Sequence, residues 1–200
     1  MSEALAFLSP TRAAVELRTP MDALHPDVVP RDGWRVGVYP AGDAPAWCAD
    51  ASPLGKVELR GREEEITAAT GGLALGTTRG EPPVRVARLT PTRALLLGPV
   101  VDHELGLDLT CAWAAVRLGG ARMRDLFARI SALDVRPSRF PVDGVMMGSV
   151  ARCPGIVVAE APDRLLVLVG WEYGAYLWET ILDAGEPVGV APATFDGAAA

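Results

Sequence analysis

The chain has 200 residues, of which 50% are hydrophobic and 22% are charged, a composition typical of a globular protein with one sizeable core or two small ones. Its formal net charge of -6 argues against nucleic acid as a default partner. Residues 1–8 lack the features of a signal peptide, and no apolar run approaches the roughly 18 residues of a membrane span. We therefore expect a cytoplasmic protein.

Residues 1–50 are rich in proline, and we interpret them as an N-terminal arm. The prolines are Pro10, Pro20, Pro26, Pro30, Pro40 and Pro45. At this density they break helices and keep strands short or at a sheet edge. Alternating polarity predicts two short strands, at residues 13–17 and 34–38. The arm either lies irregularly over the core or wraps a partner. His25 falls within it, and a solvated loop histidine is the favoured interpretation.

The order of predicted elements then repeats, once in residues 51–112 and once in residues 113–195. Each copy contains a strand ending in glycine, then a helix, then a hairpin with a Pro-x-Arg turn. The first copy places these elements at residues 57–61, 63–75 and 86–98, and the second at residues 116–120, 121–131 and 157–170. We therefore predict an α+β fold of duplicated ferredoxin-like βαββ units, with a short tail at residues 196–200.

The helix of the second copy has a single apolar stripe. Met123, Leu126, Phe127 and Ile130 recur at positions i, i+3, i+4 and i+7, so these four side chains should face the sheet.

A last helix is predicted from residue 171 and ends at Gly185, which Pro187 follows. It begins with four aromatic residues in eight positions. One stripe, which we assign to the core, consists of Trp171, Ala175, Trp178 and Leu182. Tyr173 and Tyr176 point elsewhere, and aromatic residues outside a core are favoured at protein interfaces. We therefore predict that Tyr173 and Tyr176 contact a partner.

Signals for catalysis are weak. The sequence contains no nucleophile elbow, phosphate loop or dinucleotide-binding fingerprint. The histidines are His25 and His103 alone, and Asp134 and Asp143 better suit turns or helix caps. The three cysteines are widely spaced, so they offer neither a disulfide framework nor a pair of zinc ligands. We therefore assign no catalytic, cofactor-binding or metal-binding residue to this chain.

Several short motifs, taken in order, resemble the gamma subunit of heterotetrameric sarcosine oxidase. They are Val57-Glu-Leu-Arg-Gly61, Leu89-Thr-Pro-Thr-Arg-Ala-Leu-Leu-Leu97, Asp108-Leu-Thr110 ahead of Ala115-Val-Arg-Leu118, Arg139-Phe-Pro-Val142, Asp163-Arg-Leu-Leu-Val167 and Glu172-Tyr-Gly-Ala-Tyr-Leu-Trp178. The resemblance covers roughly residues 52–185. That family is in turn similar to the folate-binding T-protein of glycine cleavage, so the resemblance implies the aminomethyltransferase folate-binding-domain fold.

The resemblance also implies a role. T-proteins carry a Gly-Tyr-Thr-Gly-Glu-type segment whose glutamate binds the pteridine, and the matching stretch here, Val158-Ala-Glu-Ala-Pro-Asp163, lacks it. By resemblance, the chain is a small, non-catalytic subunit of a flavin-dependent complex that demethylates an N-methyl amine such as sarcosine. FAD, FMN, NAD and tetrahydrofolate are then expected in the larger flavoprotein subunits. Two alternatives remain open: a stand-alone aminomethyltransferase-like folate-binding protein or enzyme, and a protein-binding module unrelated to one-carbon chemistry.

Overall fold

The structure, a computed structural model, describes residues 16–80 and 84–195. The strands in this part of the chain are β1 Val28–Arg31, β2 Trp34–Gly37, β3 Ala46–Asp50, β4 Gly55–Arg60, β5 Thr78–Arg79, β6 Arg85–Thr90, β7 Arg93–Gly98, β8 Gly106–Asp108, β9 Trp113–Gly119, β10 Val145–Val150, β11 Cys153–Ala161, β12 Arg164–Gly170 and β13 Val190–Ala193. The α-helices are α1 Glu63–Ala69, α2 Met123–Ile130 and α3 Gly174–Gly185.

The three central strands of the two large sheets follow the same order. The first sheet runs β5-β6-β7-β4-β8, and the second runs β10-β11-β12-β9-β3-β13. In both sheets, a strand is followed in the chain by a helix and then by a β-hairpin. The first strand pairs antiparallel with the last strand of that hairpin, as β4 pairs with β7 and β9 pairs with β12. The predicted α+β class is confirmed. The ferredoxin-like character of the units and the predicted division at residues 51–112 and 113–195 stay predictions.

The sheets pack face to face, and helices cover both outer sides. Between the sheets lie Ala87, Leu95 and Leu97 from the first sheet, and Ile156, Val158, Leu166 and Leu168 from the second. On the outer face of the second sheet, α2 and α3 bury Leu126, Phe127 and Trp178 against Val116 and Val167. On the outer face of the first sheet, Ile66 of α1 packs on Val57 and Leu59. The order of layers is therefore helix, sheet, sheet, helix, and apolar contact on both faces of each sheet stabilises it.

Helix α2 confirms the predicted apolar stripe. Met123, Leu126, Phe127 and Ile130 are all buried, and Phe127 is 0% exposed. The helix of the first copy is shorter than predicted, since α1 ends at Ala69 and not at residue 75. Gly71 and Gly72 follow with φ of +60° and +71°, a backbone conformation that ends a right-handed helix.

The proline-rich arm is more ordered than its composition suggests. The predicted strand at residues 34–38 is confirmed by β2, which forms a hairpin with β1. The other predicted strand, at residues 13–17, falls largely outside the described residues. β3, also within residues 1–50, inserts into the second sheet, where it pairs antiparallel with β9 and parallel with β13. The end of the arm is therefore part of the core.

Candidate functional site

Helix α3 presents the two predicted interface tyrosines to solvent. Tyr173 ends a short 3-10 turn before the helix, and Tyr176 lies in the first turn of α3. Their exposed fractions are 39% and 45%. The prediction that both tyrosines lie outside the core is thus confirmed, while their contact with a partner stays a prediction.

The predicted core stripe of this helix is partly wrong. The buried positions are Gly174, Leu177, Trp178, Ile181 and Gly185, so of the predicted stripe Trp178 alone is fully buried. Trp171 leaves the stripe because residues 171–173 form a 3-10 turn, which advances about 120° per residue against the 100° of an α-helix. Within α3, Ala175 and Leu182 lie beside the buried stripe and are only partly buried. Trp171 packs instead against Trp34 of the arm, with ring centroids 6.3 Å apart.

His25 lies in a buried polar cluster, which corrects the prediction of a solvated histidine. It is 8% exposed, with Nδ1 2.6 Å from the hydroxyl of Tyr39 and Nε2 3.1 Å from Oδ2 of Asp50. The ring meets Trp178 edge-on at a centroid distance of 5.2 Å. A Cβ on Gly37 would lie 2.5 Å from Cγ of the ring, so only glycine permits this packing.

The hydrogen bonds of this cluster serve to stabilise the fold. When the ring donates a hydrogen bond from Nε2 to Asp50 and accepts one at Nδ1 from the hydroxyl of Tyr39, all three side chains have hydrogen-bond partners. Burial raises the pKa of Tyr39 to about 12, with smaller contributions from the neighbouring Cys48 and Asp50, so the phenol stays protonated. The cluster ties the arm to β3 through the hydrogen bond between His25 and Asp50, and to α3 through the ring contact between His25 and Trp178.

Lys56 is a second buried ionisable group, and sequence reasoning missed it. Its side chain is 0% exposed, and Nζ donates to the carbonyl oxygens of Ser52 at 2.8 Å and Thr110 at 3.3 Å. Burial lowers the pKa of Lys56 to about 7, although the carboxylates of Asp50 and Asp108 oppose the shift. β4 alternates charged and apolar residues, a pattern typical of a strand with one face in solvent, yet residues 56–59 of this strand are all buried.

Above Lys56 lies a cleft of about 390 Å³, at the place where the β1–β2 hairpin meets the start of β4 and the end of β7. Its apolar walls include Trp34, Val36, Leu54, Val100 and Phe195. Polar groups at its margin include Arg31, Asp108, Thr110 and Cys111. Since most of these lining residues are apolar, the cleft offers mainly an apolar surface for contact.

Glu160 lies in the stretch compared above with T-proteins, and its carboxylate is paired within the chain. Arg117 donates from Nε to Oε2 of Glu160 at 2.7 Å and from Nη2 to Oε1 at 3.0 Å. The guanidinium also lies over the ring of Phe195, 5.4 Å from its centroid. A bidentate, largely buried pair of this kind holds the carboxylate in place.

The two other aspartates considered in the sequence act in turns, as predicted. Asp134 accepts hydrogen bonds at Oδ1 from the backbone N–H and from Nε of Arg136, and these bonds lower the pKa of Asp134 to about 2. Asp143 has φ of +67° and accepts hydrogen bonds from Arg85 and Thr78, which join its loop to the first sheet.

Within residues 16–80 and 84–195, no three His, Cys, Asp or Glu side chains come together as a metal site would require. None of the helices in this same part of the chain has both the length and the hydropathy needed to cross a bilayer.

No protein-family model matches the sequence, and no curated protein sequence matches it. The fold is similar to those of two proteins of known structure. A chain of the heterotetrameric sarcosine oxidase from Corynebacterium sp. U-96, solved in complex with pyrrole 2-carboxylate, matches with a TM-score of 0.68 and 20% identity, over 88% of this chain and 97% of that one. The glycine cleavage aminomethyltransferase T from Bartonella henselae matches with a TM-score of 0.71 and 15% identity, over 91% of this chain and 60% of that one. The predicted likeness to both proteins is confirmed at the level of fold.

Proposed function

We propose that this chain is the small, non-catalytic gamma-type subunit of a flavin-dependent, sarcosine oxidase-like complex. The observation that carries the proposal is the extent of the structural match. The fold accounts for 97% of one chain of a heterotetrameric sarcosine oxidase, but for only 60% of the aminomethyltransferase T. A match to one whole chain of a hetero-oligomer favours a subunit, whereas a match to part of a larger enzyme does not favour a stand-alone transferase.

In this proposal the complex oxidatively demethylates an N-methyl amine and passes the one-carbon unit to tetrahydrofolate. The larger flavoprotein subunits bind FAD, FMN, NAD and tetrahydrofolate. The ionisable groups of this chain support a structural part in that assembly. His25, Lys56 and Glu160 are each held by hydrogen bonds to other protein groups. Tyr173 and Tyr176, exposed on α3, are the proposed contacts with a larger subunit.

The test is purification of the tagged chain from its source organism. We expect a hetero-oligomer that carries flavin absorbance and oxidises sarcosine or a related N-methyl amine. Removal of this chain should reduce the yield or stability of the complex while flavin remains on the larger subunits. Recovery of the chain alone, with no flavoprotein at any salt concentration, would refute the subunit role.

The folate-binding alternative predicts a different result. Calorimetric titration of the isolated chain with tetrahydrofolate should give weak binding or none, because Glu160 is engaged by Arg117. Tight one-to-one binding, lost on Glu160→Gln, would favour the folate-binding protein instead. The matched control is Glu179→Gln, at an exposed glutamate on α3.

A further inference from the structure

The first sheet ends in an open strand. Among the described residues, β8 pairs with β4 on one side and with nothing on the other. The bond from Arg60 N to Leu105 O at 3.0 Å and the bond from Leu109 N to Lys56 O at 2.8 Å fix the pairing. In an antiparallel pair the direction of the backbone groups alternates, so the N–H and C=O of Asp108 and the C=O of Gly106 point away from β4.

The surface beside this edge is apolar. Leu107 is 56% exposed, and Val100 and Val101, in the connection before β8, are 51% and 42% exposed. Val100 also lines the cleft above Lys56, together with Asp108. The open edge and the cleft therefore form one continuous surface, and exposed apolar area of this kind marks an interaction site.

The same edge is acidic. Asp102, Glu104 and Asp108 are all exposed, so this edge carries three surface carboxylates. Nearby, Leu105 packs in the same cluster as Ile66 of α1, whose first turn carries three glutamates, two of them paired with Arg62. A second copy of the chain would bring like charges together across a β8–β8 pair, which is unfavourable.

We propose that the open edge of β8 receives an extended segment of the larger subunit with alternating apolar and basic residues. The inference rests on the proposed function, since it names the contact surface of the same assembly. An added strand is the partner that satisfies the free backbone groups of Gly106 and Asp108. Its apolar side chains cover Leu107, Val100 and Val101, and its basic side chains meet Asp102 and Glu104.

The first test compares two exposed leucines. Leu107→Glu places a charge at the centre of the proposed contact, and Leu75→Glu, at a leucine 54% exposed, is the matched control. With both variants folded by circular dichroism, Leu107→Glu should weaken assembly with the flavin-bearing subunit at least about tenfold, as expected for a central contact, and Leu75→Glu should leave it unchanged. Equal assembly of Leu107→Glu and wild type would overturn the inference.

The second test needs no variant. Hydrogen exchange of residues 104–109 is measured in the isolated chain and in the complex. We expect exchange of the Asp108 amide to slow at least about tenfold in the complex, because an added strand accepts its N–H. Unchanged exchange would overturn the inference, as would a dimer of the isolated chain that Leu107→Glu dissociates. If wild type forms no complex at all, the proposed function is wrong. If the complex forms but neither Leu107→Glu nor hydrogen exchange shows the expected change, only the contact at the edge of β8 is wrong.

Discussion

Lys56 is the only lysine in the chain, so its ionisation can be measured without interference. Its pKa falls from 10.5 to about 7 because the ammonium is buried between the sheets. A difference of about 3.5 pKa units between the unfolded and folded states corresponds to roughly 5 kcal/mol, which is an upper limit. Between the two pKa values the unfolded chain binds more protons than the folded chain.

The sign of the pH dependence follows from that difference in proton binding. The contribution of Lys56 to stability is fully present above pH 10.5, and it is lost progressively as the pH falls from 10.5 to about 7. Between pH 7 and pH 9 the free energy of unfolding of wild type should rise by roughly 2 kcal/mol relative to Lys56→Met, which lacks the titrating group. Urea denaturation of both proteins across this pH range measures the difference between their free energies of unfolding. Because all other titrating groups are shared, their contributions cancel in this difference.

Lysine labelled with ¹³C at Cε provides the direct measurement. The single lysine gives one signal, and its chemical shift should titrate with a midpoint near 7. A midpoint near 10, together with a stability difference that does not change with pH, would show that the ammonium is solvated and that the burial of Lys56 between the sheets is wrong.

The remaining predictions concern packing and assembly. Phe127→Ala should cost about 3–5 kcal/mol in urea denaturation, since the ring is fully buried; a loss below about 1 kcal/mol contradicts that burial. The double change Tyr173→Ala with Tyr176→Ala should leave the melting temperature of the isolated chain unchanged and prevent assembly with the larger subunit. If the isolated chain unfolds instead, the tyrosines belong to the core. His25→Ala should destabilise the chain by about 1–3 kcal/mol, because the carboxylate of Asp50 and the phenol of Tyr39 lose their hydrogen-bond partner. A change within about 0.5 kcal/mol would mean that water reaches the cluster and replaces the lost hydrogen bonds.

The sequence by itself determined the elements that depend only on local patterns. The stripe from Met123 to Ile130 predicted α2, because apolar residues at helical spacing have only one way to face a sheet. The turn at Pro162-Asp163 predicted the β11–β12 hairpin, because proline is excluded from the middle of a ladder. The α+β class and the likeness to a sarcosine oxidase chain follow from the order of such elements, which survives at low sequence identity.

Contacts between distant segments were decided by the tertiary structure alone. No local pattern places β3 beside β9, because strand pairing depends on which edges remain free after the hairpins form. β10 was missed for a similar reason: its exposed and buried residues alternate through Gly148 and Ser149, so the apolar signal is weak until β11 pairs with it.

For the buried ionisable groups, too, the sequence showed the residue types and the tertiary structure decided their environments. His25 and Lys56 lie in segments that look polar or irregular in the sequence, and each is buried by residues far along the chain, such as Tyr39 and Trp178 around His25 and Thr110 beside Lys56. Burial is a property of the packed layers and not of the local sequence. The residue types were therefore visible in the sequence, but their environments arose only in the folded chain, when the arm and α3 closed over the second sheet around His25 and the two sheets closed on each other around Lys56.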